Sequence, residues 1–239
     1  VQGVDELEMG RIAAAVDDAI PSELAHTWDE FVASGPVLVA RQSIFDIDGG
    51  VSAYQLSFRS QVSSDPRRWT SATHERATSH VLRATFSRAD LESLAGDRHI
   101  AVRCPRGYLV GELPLPPRPD RLIVELPTNL VPDAKVCDGI IDLRAQGFSV
   151  CLPSFSNQPA QRRLLPLADF VKIDVRDLDV EGVPVVRVAR TYDATLVGEF
   201  VERRDQLALA RDLGFSLFQG NLLGRATTVD RTAARPVGL

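Results

Sequence analysis

Two periods of hydrophobic and polar positions run along this chain. Over residues 4–34 the apolar residues Met9, Ile12, Ala13, Val16 and Ile20 recur at helical spacing, and Pro21-Ser22 opens a second helix that Gly35-Pro36 ends. Val37 to Gln42 is a β-rich run, Asp46 to Gly50 carries Asp-Gly turn chemistry, and Val51 to Phe58 alternates with period two. That pattern predicts an antiparallel hairpin. Helices are then predicted over 71–86 and 88–94. From there short apolar runs alternate with amphipathic stretches. Strands are predicted over 99–103, 122–126, 149–152, 170–173, 194–200 and 217–219, and helices over 132–146, 158–167, 184–192 and 204–213.

Short buried strands separated by helices imply a parallel sheet. A count near eight strands favours α/β architecture as a TIM-like barrel over a doubly wound sheet. No glycine-rich phosphate loop follows the first strand, so the dinucleotide fold has no specific support. The hairpin sets the first strand antiparallel to the second. The expected organisation is an N-terminal helical extension over 1–35, a barrel over 36–228 and a tail over 229–239.

Composition narrows the picture modestly. The chain has 239 residues, 44% hydrophobic and 25% charged, with a net charge of −5. A core of that size needs neither disulfides nor metal to hold it. The charge balance gives no sign of a nucleic-acid polymer as partner. Lys135 and Lys172 are the only lysines, so a lysine inside the apolar run Phe170 to Ile173 stands out. Cys104, Cys137 and Cys151 lack CxxC spacing, which suits buried thiols in a reducing cytoplasm. No run reaches the roughly 18 apolar residues that span a bilayer.

Five segments carry a family resemblance. Val39-Ala40-Arg41-Gln42-Ser43-Ile44-Phe45-Asp46 resembles an opening "RQPIFD" strand, and Ala53-Tyr54-Gln55-Leu56-Ser57-Phe58-Arg59 resembles "GYELLFR". Phe170-Val171-Lys172-Ile173-Asp174 resembles "VKID", and Val197-Gly198-Glu199-Phe200-Val201-Glu202 resembles "AEGVE". Leu213 to Gly220 resembles "LGFDLFQG". In this order they resemble the EAL-domain family of cyclic di-GMP phosphodiesterases, and most of all the branch in which an HDOD module follows. The resemblance implies a modified (β/α)8 barrel with an antiparallel first strand. It also implies hydrolysis of cyclic di-GMP to linear pGpG by two divalent metals.

Such chemistry needs several carboxylates around a pair of Mg²⁺ or Mn²⁺ ions about 3.5–4 Å apart. Against the family pattern this chain is degenerate. The signature glutamate falls on Gln55, the asparagine ligand on Arg103, the "DDFG" aspartates on Pro153-Ser154, and a loop glutamate on Thr128. Arginine does not ligate Mg²⁺ and repels it. The matches that remain are Gln42, Arg59, Glu125, Lys172, Glu199 and Gln219, with Glu202 competing for the place of Glu199. Lys172 reads either as an ion-pair partner of Glu125 or Glu199 or as a retained ligand contact. Gln219-Gly220 reads as a tight turn after the last strand. The expected function is a catalytically inactive EAL-like module of bacterial signalling that binds a protein partner or an attached domain, with no metal or other cofactor. Alternatives are a metal-independent cyclic di-GMP receptor, with Arg59 and Arg103 meeting the phosphates, and a residual phosphodiesterase.

Overall fold

The computed structural model describes residues 37–59, 70–86 and 91–231. The helices expected over 4–34 and the first residues of the one expected over 88–94 lie outside the described residues.

The hairpin forms as its sequence dictates. Strands β1 (Val37–Asp46) and β2 (Val51–Arg59) pair antiparallel, with Gln42 opposite Gln55. Asp46 shapes the turn: its Oδ1 accepts from the amides of Asp48 at 3.0 Å and Gly50 at 2.7 Å, and Gly49 takes φ 83°. That left-handed conformation is one glycine adopts at little steric cost. Helices α1 (Ser71–Phe86) and α2 (Leu91–Ala95) lead to β3 (His99–Arg103), α3 (Arg106–Leu109) and β4 (Leu122–Glu125). Then come α4 (Ala134–Ala145), β5 (Ser149–Leu152), α5 (Pro159–Leu164) and β6 (Phe170–Asp174). The order ends with α6 (Leu178–Ala189), β7 (Thr195–Glu199), α7 (Arg204–Asp212), β8 (Leu217–Phe218) and β9 (Thr227–Arg231).

Strands β2 to β8 neighbour one another in chain order and run parallel. Strand β1 closes the ring between β8 and β2, antiparallel to both. This is the TIM-like barrel with an inverted first strand that the hairpin predicts. Strand β9 adds to it: Thr227–Arg231 pairs antiparallel with Val37–Arg41 on the edge of β1 that β8 leaves open. It runs across the point where a tail was expected to begin.

Helix α6 departs from expectation. It starts at Leu178, not at 184, and carries Pro184 in its interior. A short 3₁₀ turn, Val175–Asp177, leads into it, and Asp174 caps that turn by accepting from the amide of Arg176 at 2.9 Å. The start signal was therefore the capping aspartate rather than the proline. Helix α4 approaches α3 so closely that a Cβ at Gly139 would collide with the Leu109 carbonyl.

The alternation of each strand splits the core in two. Leu56, Val102, Val124, Val150, Leu152, Val171 and Leu196 face outward and pack in one large cluster with helix residues such as Val136, Ile140 and Leu164. Ile44, Ala53, Ala101, Ile123, Cys151 and Val197, with Phe170 and Leu217, make a second and smaller cluster inside the barrel. The next inward position on each strand, two residues toward the mouth, belongs to the polar layer described below.

Candidate functional site

Counting two residues up from the inner apolar layer gives Gln55 on β2, Arg103 on β3, Glu125 on β4 and Lys172 on β6. On β5 and β7 the count gives Pro153 and Glu199, and after β8 it gives Gln219. On the inverted β1 it gives Gln42. The period of the strands thus brings eight chain-distant residues to one level at the C-terminal mouth, where barrels of this type build their sites.

Glu125 is the hub. It has no solvent exposure, and Lys172 is 1% exposed. Lys172 Nζ donates to Glu125 Oε2 at 2.6 Å, to Gln55 Oε1 at 2.6 Å and to Gln219 Oε1 at 3.1 Å. Those three acceptors match the three protons of an ammonium group. Arg103 donates from Nε at 2.9 Å and Nη2 at 2.7 Å to the other carboxylate oxygen, Oε1. Gln55 Nε2 donates to Glu125 Oε2 at 2.9 Å. Gln219 Nε2 bridges Gln55 Oε1 and Gln42 Oε1, each at 3.0 Å, and Gln42 Nε2 donates to the Gly224 carbonyl at 3.3 Å. Both oxygens of the buried carboxylate therefore face a cation, and every amide in the layer has a partner.

Electrostatics follow from that geometry. Burial would push the Glu125 carboxyl up, but the charges of Lys172 and Arg103 overcome it and hold the group below the ordinary glutamate value. Burial likewise opposes the charge of Lys172, and Glu125 overcomes it to hold Lys172 above the ordinary lysine value. The pair is ionised. Of the two partners left open for Lys172, Glu125 is the one it meets.

Beside the hub, Ser154 Oγ donates to Glu199 Oε1 at 2.7 Å. Burial pushes the Glu199 carboxyl above its ordinary value, with Lys172 and that hydroxyl offsetting it only in part. The loop after β5 is held by Gln161, which accepts from the Ser156 amide at 2.9 Å and donates to the Ser154 carbonyl at 2.9 Å. Ser154 takes φ 46° there. Strand β7 ends at Glu199, in register with Asp174. Glu199 is thus the residue at the strand end, and Glu202 lies beyond it.

Thr128 sits exposed in the turn after β4. Arg59 ends β2, and its side chain lies outside the described residues. Gly220 opens the turn expected after the last strand, its carbonyl accepting from the amides of Leu223 at 3.1 Å and Gly224 at 3.0 Å, and it serves a second purpose. Its Cα lies so close to the backbone of Val201 that any Cβ would collide. Burial pushes the thiols of Cys104 and Cys151 up, so both are inert packing groups.

Above the layer lies an open cleft of about 370 Å³, lined by Gln42, Gln55, Arg103, Glu199, Phe200 and Gln219 among others. The Arg103 side chain is 49% exposed and faces solvent beside its ion pair. The donor set suits a divalent pair poorly. Hard cations need several free carboxylate or carbonyl oxygens, whereas here the one fully buried carboxylate is spent on two cations. Among the described residues no group of three or more His, Cys, Asp or Glu converges.

A closed barrel with an inverted first strand and a polar layer at its mouth defines the class: residues 108–226 match the model of the EAL domain, and this chain carries such a domain. A curated relative is cyclic di-GMP phosphodiesterase CdgJ of Vibrio cholerae, 24% identical over 201 residues, which is 83% of this chain and 46% of that protein. The chain spans about half the length of the curated relatives it matches. Among solved structures, Klebsiella pneumoniae BlrP1 in a calcium and cyclic di-GMP complex aligns with a TM-score of 0.65 at 19% identity, covering 82% of this chain and 57% of that one. The Bacillus subtilis YkuI protein, with an EAL domain in complex with cyclic di-GMP and calcium, aligns with a TM-score of 0.66 at 19% identity, over 82% and 55%. These likenesses establish the fold.

Most of the site residues were legible from strand-end motifs. The pairing of Arg103 with Glu125 was not. Its signal is the register, in which Arg103 and Glu125 are direct partners on adjacent parallel strands.

Proposed function

We propose that this domain is a non-hydrolysing EAL-like module of cyclic di-GMP signalling that acts through protein contacts. The observation that carries the reading is the Arg103–Glu125–Lys172 triad. Arg103 stands at the strand end where the family pattern has a neutral metal ligand, and its guanidinium occupies one oxygen of Glu125. Seating a cation there requires expelling a charge-assisted forked hydrogen bond and overcoming two resident positive charges. Gln55 and Pro153-Ser154 add no charge to compensate. The kinship with CdgJ, named a cyclic di-GMP phosphodiesterase, supports a place in that signalling chemistry.

The test is incubation of the domain with cyclic di-GMP and Mg²⁺ or Mn²⁺, with products separated chromatographically. No pGpG above the buffer control is expected. Metal-dependent pGpG that disappears in Glu125→Gln would overturn the reading.

The open cleft favours a second reading, a receptor that holds cyclic di-GMP without metal. Arg103 offers a half-exposed guanidinium to a phosphate at its lip. Titration calorimetry in EDTA separates the two readings. Heat that survives chelation and is lost in Arg103→Ala supports the receptor. Absence of heat leaves the protein-contact module.

A further inference from the structure

Phe200 is strained, exposed and set in the cleft, and nothing in the packing of the barrel accounts for it. It follows Glu199 at the mouth of β7 with φ 60°. A left-handed conformation is sterically unfavourable for a residue with a Cβ. In the resemblance to "AEGVE" the residue at this place is glycine, which adopts such a φ freely. Here the conformation is kept while a large aromatic ring replaces the hydrogen. The ring is 44% exposed, so burial does not offset that strain in full.

The ring is nevertheless positioned. The Arg176 guanidinium carbon lies 4.2 Å from its centroid. Arg176 is itself fixed on Asp174 by a fork, Nε to Oδ1 at 3.0 Å and Nη2 to Oδ2 at 2.7 Å. A cation stacked on an aromatic face orients it and adds to its polarisation. The ring lines the same cleft as Arg103, Gln42, Gln55 and Asn221.

We propose that Phe200, backed by Arg176, is an aromatic platform on which the cleft stacks the base of a nucleotide, with Arg103 taking a phosphate. The glycine of the "AEGVE" pattern offers no such surface. This subsite rests on the receptor reading above and is independent of whether the domain hydrolyses anything. Glu199 and Glu202 also line the cleft. Their carboxylates disfavour a ligand held by phosphate charge alone, such as pyrophosphate. They favour one with few phosphates and a base whose N–H groups donate to a carboxylate.

The experiment is calorimetry of the full 239-residue chain in EDTA with cyclic di-GMP, comparing wild type, Phe200→Gly and Phe200→Tyr, alongside thermal melts. Phe200→Gly is expected to weaken binding by at least about fivefold, the loss of one base–aromatic stack. Its melting temperature should hold or rise, because glycine relieves the backbone. Phe200→Tyr should bind like wild type. Equal binding by wild type and Phe200→Gly overturns the proposal. So does a loss of melting temperature together with binding, which would make Phe200 a packing residue. No binding by wild type up to millimolar ligand also overturns it, while leaving the non-hydrolysing reading intact. Metal-dependent hydrolysis by wild type would sink that reading and leave the stacking result to be read from the EDTA titrations.

Discussion

Replacing Lys172 by methionine tests the central network most directly. Lys172 Nζ gives its three protons to Glu125, Gln55 and Gln219. Its loss leaves Gln219 Oε1 without that donor and removes one of two cations from a fully buried carboxylate. Breaking a buried ion pair from one side typically costs about 3–5 kcal/mol. Arg103 remains on Oε1, but its side chain is 49% exposed, so solvent screens part of its attraction and it replaces little of what is lost. Adding Glu125→Gln to Lys172→Met removes the stranded charge, while Arg103 regains hydration on its open side. The double variant should therefore recover part of the loss, with a coupling of about 1–3 kcal/mol. Urea denaturation at neutral pH, followed by circular dichroism, gives all four corners of the cycle. If Lys172→Met cannot be purified folded while the double variant can, the coupling has the sign expected. A single-variant loss below about 1 kcal/mol, or additive losses in the double variant, would refute the triad as the structural hub.

Glu199 and Glu125 should respond to pH in opposite senses. The folded pKa of Glu199 lies above its ordinary 4.5, so its contribution to stability is full below that value and is lost as pH rises through the raised one. Glu199→Gln keeps an acceptor for Ser154, so it should equal or exceed wild-type stability at pH 8, with the gap closing toward pH 4.5. A variant weaker than wild type at pH 8 refutes this. Glu125 is held below 4.5, so its contribution is present above that pH and lost as pH falls, an acid limb that Glu125→Gln should lack. Melting in Mn²⁺ and in EDTA should give the same temperature; metal-dependent stabilisation would reveal a site that binds the folded state. Gly139→Ala should cost about 1–3 kcal/mol by forcing α4 off the Leu109 carbonyl, and an unchanged urea midpoint would contradict that contact.

What the chain disclosed by pattern was whatever period or turn chemistry specifies locally. The hairpin follows from Asp46, Gly49 and the alternation of β2. The parallel ring follows from strands short enough to be buried on both faces. Pro184 misled because a proline is usually read as a helix start, whereas Asp174 had already begun the turn that leads into α6. Strand β9 was missed because Thr227-Thr228-Val229-Asp230-Arg231 has little hydrophobic contrast, and its partner on β1 is distant in the chain. Gly220 was legible as a turn residue, but its contact with the Val201 backbone was not, because close backbone approach leaves no local trace. The strand-end residues were legible one at a time, but their bonding was not, since it depends on register across the barrel.

Register also explains why the residues of this layer are mutually consistent. Eight positions at one level share a small volume of low dielectric, so their charges must balance locally. Glu125 and Lys172 alone would be a pair, but a metal-binding layer holds more carboxylates and relies on its cations to neutralise them. In this chain an amide at Gln55 and a proline–serine pair at Pro153-Ser154 bring no carboxylate to the mouth. Arg103 contributes a positive charge next to Glu125 without any ion, and it does so from the mouth, where half of it remains hydrated. Glu199 brings the second carboxyl group of the layer, its pKa raised by burial. Two cations thus face two carboxyl groups in the layer without any ion. Reintroducing a carboxylate at a single position, such as Gln55→Glu, would place a second negative charge against Glu125 that only Lys172 and Arg103 could share.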